Sequence, residues 1–327
     1  MPHRWKALAA AAALAGATRV TAAAAAVAAA ALLAAGCSSS SAADQPDQPG
    51  PDGKIIAVGA ENEYADVIAQ VGGKYVQATA IMSNPNTDPH TFEASASTGR
   101  LVNAARLVVQ NGLGYDTFMD TIEKAVPDSG RRTIVVQKLL GLPDSTPNPH
   151  LWYDPATMPK VADAIAANLA ALQPSHAAYF RANAKTFTNS LTPWINAIGT
   201  FKQHDPGTPV ATTEPVADYL LQSLGADNKT PSAFQDDVMN GTDPSAQDVA
   251  IERSLFTQHQ VKAFLYNQQV TDSLTESFIS LARANGIPVV GVYETMPEPG
   301  YHYQSWMLAE VRALHNAVAG NVSSEHL

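Results

Sequence analysis

The chain has a single cysteine, Cys37, among 327 residues. That excludes a disulfide framework and any zinc cage built from thiolates. Positive charge is also scarce. Of the 20 Lys and Arg residues, Arg4, Lys6 and Arg19 fall in the first 36 positions, where 19 residues are alanine and none is acidic. The remaining 291 residues carry 17 basic against 30 acidic side chains, a net charge of −13. Such a balance disfavours nucleic acid as a partner, because phosphate binding needs a basic surface. No His-Glu-x-x-His, Gly-x-Ser-x-Gly or P-loop occurs, and Gly112 and Gly114 lack the third glycine of a dinucleotide fingerprint. The nine histidines are spread singly, so there is no His-rich metal-collecting tract. The longest apolar stretch, residues 20–35, is shorter than the roughly 20 residues that a membrane span needs.

What is present begins with that stretch. A basic flank, a short apolar core and the small-residue exit Ala34-Ala35-Gly36 mark residues 1–36 as an export signal. Cys37 stands at the boundary and is followed by Ser38 to Gly53, made only of Ser, Ala, Asp, Gln, Pro and Gly. Such a composition buries no core and reads as a flexible tether over 37–53. The segment resembles a bacterial lipoprotein signal, which implies that Cys37 is the lipid anchor. Leu33 lies one place further from the cysteine than in the usual pattern, with Ala34 in its position. The expected product is an extracytoplasmic domain tethered to the outer face of the bacterial cell membrane.

From Lys54 onward, short apolar runs alternate with helical patterns. Strands are expected at Lys54–Ala60, Tyr75–Met82, Leu107–Gln110 and Thr133–Val136, and again at Thr208–Thr213, Val261–Asn267 and Ile287–Tyr293. Helices are expected at Glu63–Val71, Ser97–Arg106, Tyr115–Val126, Ala246–Gln258 and Ser273–Asn285. This alternation predicts an α/β fold of two Rossmann-like lobes with parallel sheets, 54–172 and 205–327. The stretch between them reads as helical, with 173–204 as a long connecting helix that Pro193 should kink or break. A ligand is then expected in the inter-lobe cleft, at the carboxyl ends of the strands.

The candidate chemistry lies in two corners 60 residues apart. Asp88-Pro89-His90-Thr91-Phe92 and Asn148-Pro149-His150-Leu151-Trp152 share the pattern Asx-Pro-His-x-aromatic. Proline fixes its own φ and biases the preceding Asx to an extended conformation, so each imidazole leaves a rigid corner. In an extended segment the aromatic residue two places on would shield the imidazole. Glu93 and Asp154 follow and could accept the second ring N–H. One such histidine alone could merely cap a loop, whereas two in one lobe favour a shared ligand. Glu214 follows an apolar strand and precedes Pro215, although a first-turn Glu favoured by the helix dipole would look the same. Glu294 follows the last strand, with Glu298 or His302 as alternatives. Two imidazoles and two carboxylates suit a divalent transition metal.

In this order, Asp-Pro-His, Asn-Pro-His-Leu-Trp-Tyr-Asp-Pro, a helical middle, Thr-Thr-Glu and a last strand ending in an acid, residues 54–318 resemble the metal-binding lipoproteins of ABC importers. That zinc/manganese solute-binding cluster includes streptococcal-type adhesins, and Asn148–Pro155 is the most specific part of the likeness. The resemblance implies His90, His150, Glu214 and Glu294 as ligands of a zinc or manganese cargo, with iron as a further candidate. It also implies a monomer without catalytic residues that delivers the ion to a membrane permease. A secreted metal-dependent hydrolase and a surface adhesin with a structural metal are the alternatives at this point. With all four positions filled by protein there would be no place for an activated water.

Overall fold

The computed structural model describes residues 53–84, 92, 93, 95–297 and 300–327. The signal segment 1–36, Cys37, all but the end of the tether, His90 and Glu298 lie outside the described residues.

The first sheet contains β1 (Ile55–Glu61), β2 (Val76–Met82), β3 (Leu107–Gln110) and β4 (Arg132–Val135) in the order β2-β1-β3-β4, all parallel. The second contains β5 (Pro209–Thr212), β6 (Asp227–Asn228), β7 (Ala263–Asn267) and β8 (Val289–Val292) in the equivalent order β6-β5-β7-β8, again all parallel. Parallel strands need helical crossovers, which cover both faces, so β3, β7 and β8 are buried along their whole length. The apolar runs of the sequence record that burial. The two-residue β6 carries no such run and was not among the expected strands.

The crossovers of the first lobe are α1 (Asn62–Gly72), α2 (Ala96–Ala104), α3 (Thr117–Ala125) and the short α4 (Val136–Leu140). Ser95 caps α2, its side chain accepting from the Thr98 amide while the Thr98 hydroxyl accepts from the Ser95 amide. The middle region holds α5 (Thr157–Leu172), α6 (Ala177–Ser190) and α7 (Thr192–His204). The chain breaks between α6 and α7 where Pro193 opens the new helix, the position at which a missing N–H costs least. The second lobe adds α8 (Asp218–Leu224), α9 (Ser232–Met239), α10 (Ala246–Thr257) and α11 (Ser273–Ala284), and α12 (Tyr303–Gly320) packs back along α7. Tyr303 and Trp306 of α12 are fully buried and serve the core. The described residues fall in one compact unit. Among the described residues no helix is long and apolar enough to cross a membrane.

One difference from the sequence expectation bears on the site. α3 begins at Thr117 rather than Tyr115, because Gly112, Leu113 and Gly114 all take positive φ and hold residues 111–116 as a loop. The tail after α12 also returns to the sheet. Ser324 bridges to Val290 in parallel, its amide donating to Val289 O and its carbonyl accepting from Gly291 N, each at 2.9 Å.

Candidate metal centre

The carboxyl ends of β1, β3, β5, β7 and β8 each deliver polar side chains that are buried where the two lobes meet. His150 and Glu294 are fully buried and Glu214 is 2% exposed, at the ends of segments that are otherwise apolar. His150 Nε2 lies 3.3 Å from Glu294 Oε2. Glu214 joins them through Asn267, whose side-chain amide donates to Glu294 Oε1 at 2.6 Å and lies 3.3 Å from both Glu214 oxygens.

The orientation of His150 follows from its own corner. Asn148 Nδ2 donates to Pro215 O at 2.7 Å across the lobes, which turns Asn148 Oδ1 towards the histidine. That oxygen accepts from the His150 amide at 2.9 Å and faces Nδ1 at 2.8 Å. An acceptor at Nδ1 assigns the proton there and leaves the Nε2 lone pair facing Glu294. The second ring nitrogen therefore uses Asn148 and not Asp154, whose Oδ1 instead accepts from Ala156 N. Residues Leu151–Tyr153 form a 3-10 turn and not an extended segment, yet Trp152 still shields the imidazole, edge-on with ring centroids 5.4 Å apart.

Glu294 is anchored on three sides. Gln269 Oε1 accepts from the amides of Glu294 and Thr295 at 2.6 and 2.9 Å. Asn62 of α1 pairs with Met296 main chain in both directions, at 2.9 and 3.0 Å. The Tyr115 hydroxyl donates to Glu294 Oε2 at 2.9 Å, and burial raises its pKa well above the usual tyrosine value, so it remains a donor. The Gly112–Gly114 loop carries Tyr115. Its anion-seeking amides are taken by Asp116, which accepts from Asn111 N at 2.5 Å and Gly112 N at 2.9 Å. Burial pushes the Asp116 carboxyl up to about 6 despite those bonds.

Of the alternatives to Glu294, His302 stands apart. It caps α12 with a side chain that is 64% exposed, and its Nδ1 meets Asp66 at 2.7 Å. Asn267, Gln269 and Tyr115 were not singled out in the sequence. The only signal for the first two was a polar Asn-Gln-Gln directly after an apolar strand. Among the described residues no three His, Cys, Asp or Glu side chains close into a metal-holding group.

The pair that does meet has a definite chemistry. An Nε2 lone pair and a carboxylate oxygen 3.3 Å apart repel unless a proton or cation lies between them. An ion about 2.1 Å from each atom, the usual length for zinc-type bonds, would subtend about 104° there, near the tetrahedral angle.

Over 243 residues, 72% of this chain and 78% of the relative, the chain is 24% identical to the manganese-binding lipoprotein MntA of Bacillus subtilis (strain 168). It is 22% identical over 242 residues to the zinc-binding protein TroA of Treponema pallidum (strain Nichols), covering 72% and 77% of the two chains. The solved structure of periplasmic zinc-binding TroA from Treponema pallidum superposes with a TM-score of 0.69 at 18% identity, covering 83% of this chain and all of that one. A cadmium-bound periplasmic metal-binding protein from Candidatus Liberibacter asiaticus gives 0.67 at 18% identity, over 81% of this chain and all of that one. These two structures share the two-lobe α/β fold. The profile of ZnuA, the periplasmic component A of zinc-uptake complexes, matches residues 58–317, and the chain therefore belongs to the ZnuA family.

Proposed function

We propose that the protein captures a divalent transition metal, zinc or manganese, outside the cytoplasm and delivers it to an ABC-type permease, without catalysing a reaction. The observation that carries this reading is the buried His150–Glu294 pair, an imidazole lone pair set against a carboxylate oxygen at 3.3 Å. Family membership supports it, as do the manganese- and zinc-binding relatives. The cargo is held by His90 and His150 from the lobe 54–172 and by Glu214 and Glu294 from the lobe 205–327, with 173–204 as the bar between them. Four protein ligands leave no coordination position for an activated water, which is why a hydrolase is not favoured. The protein acts as a monomer, held to the membrane by a lipid on Cys37.

Two carboxylates beside two imidazoles lean towards manganese, while the intrinsic order of affinities favours zinc. Elemental analysis of the purified protein, followed by zinc-versus-manganese competition, decides between them. One equivalent of either metal, lost in His150→Ala, is the expected result. Tight equimolar binding retained in His150→Ala would falsify the ligand assignment, and no binding by the unaltered protein would remove the function.

A further inference from the structure

β1 runs into α1 without a loop. The turn is so tight that a Cβ on Gly59 would sit 2.4 Å from the Ala65 amide nitrogen, which only glycine avoids. It leaves Glu61 at the end of the strand and Glu63 in the first turn of the helix, both fully buried. Among the described residues none of their four carboxyl oxygens has a hydrogen-bond partner beyond the easing effect of each residue's own backbone amide. The other buried acids nearby are satisfied: Asp116 by the Asn111 and Gly112 amides, Glu294 by Tyr115 and Asn267.

The charged neighbours acting on Glu61 and Glu63 only worsen their position. Burial is the main force raising both carboxyls well above their ordinary range. Asp116 and Glu294 add repulsion to each, and Glu63 repels Glu61. Protonation would remove the charge, yet each neutral carboxyl would still hold a hydroxyl donor and a carbonyl acceptor with nothing to bond. Buried polar atoms are almost always paired, so four orphaned oxygens on neighbouring side chains ask for a missing partner. A cation would pair with several such oxygens at once, and the backbone brings them to the right place: Asn62, between the two acids, bonds in both directions with the main chain of Met296, two residues from Glu294.

We propose that Glu61 and Glu63 supply further oxygen ligands to the same cation that His150 and Glu294 hold, making the donor set larger than four and rich in carboxylate. The inference rests on the metal-capture reading above. Its consequence is selectivity. Zinc prefers four ligands in a tetrahedron, whereas carboxylate-rich sets with more ligands suit manganese. The two carboxyls do not close on the ion's place as they stand, and no other side chain among the described residues ties them down.

The test uses the full-length protein in detergent, with Glu61→Gln, Glu63→Gln and the double variant, titrated separately with manganese and with zinc. Glutamine keeps the shape and removes the charge. The expected result is at least a tenfold loss of manganese affinity in the double variant with zinc changed less than threefold, and an altered manganese EPR spectrum in whatever still binds. An unchanged manganese-to-zinc ratio overturns the proposal, since a merely structural role would move both metals together or neither. Should the glutamine pair fail to fold, Glu61→Asp with Glu63→Asp keeps both acids but shortens their reach, and manganese again has to weaken selectively. If the unaltered protein binds neither metal, the capture reading fails and this proposal with it. If it binds both and the variants bind identically, only this proposal fails.

Discussion

Tyr115 and Glu294 are 179 residues apart and meet at 2.9 Å, the hydroxyl of one lobe donating to the carboxylate of the other. The oxygen they share, Oε2, is the one that faces His150. The carboxylate oxygen that faces the imidazole is thus oriented by a donor from the opposite lobe.

Tyr115→Phe removes that donor while keeping the ring. A hydrogen bond to a charged acceptor is worth about 1.5–3 kcal/mol, so metal affinity should fall by roughly tenfold or more with the fold intact. Isothermal titration with zinc and manganese, beside a thermal melt of the metal-free protein, reads both quantities. Unchanged affinity would mean that Gln269 and Asn267 hold Glu294 without help.

Asn148→Ala should weaken binding through the histidine it never replaces. The amide fixes the His150 proton on Nδ1, and losing such a partner of a ligating histidine costs about 10- to 100-fold in metal affinity. Proton NMR of the imidazole would show the tautomers mixing. A variant with wild-type affinity and one clean tautomer would refute the role given to Asn148.

Glu252 on α10 lies away from the centre, and burial pushes its carboxyl up to about 8, the Thr230 side chain opposing weakly. A folded pKa above the unfolded value stabilises the fold at low pH. That stability is lost as pH climbs from about 4.5 to about 8, at up to about 1.4 kcal/mol per pH unit. Glu252→Gln should remove this part of the slope and raise the melting temperature above pH 7. Parallel wild-type and variant profiles across that window would show that Glu252 does not titrate there.

Cys37→Ala should shift the protein from the membrane fraction to the soluble extracytoplasmic fraction without altering metal binding. Fractionation with a blot is sufficient. A variant that stays with the membrane shows that another element anchors the chain.

The architecture was legible because parallel strands are buried on both faces: β3, β7 and β8 are written as apolar runs, and Pro193 announces the break between α6 and α7. His150 was legible because Asn-Pro fixes its corner locally. Asn267, Tyr115, Glu61 and Glu63 were not, since nothing near them in the chain distinguishes a loop polar residue from one aimed inward. They matter only because the order β2-β1-β3-β4 and its counterpart bring distant strand ends to one place. Glu63 in particular reads as an ordinary acidic residue of a first helical turn, and only its complete burial separates it from that role. The helix expected from Tyr115 starts two residues later, at Thr117, because Tyr115 and Asp116 still belong to the turn that follows the positive φ values of Gly112, Leu113 and Gly114.

The His150–Glu294 pair, the Tyr115–Glu294 bond and the Asn148–Pro215 bond all join the first lobe to the second. A relative shift of the two lobes would leave distances within each lobe unchanged and alter these cross-lobe distances together. Metal–ligand bonds near 2.1 Å tolerate only a few tenths of an ångström, so a relative slip of about 1 Å suffices to undo the cross-lobe bonds together. With the ion held as proposed, a small displacement between the lobes would undo several bonds in one step, rather than each ligand being lost in turn.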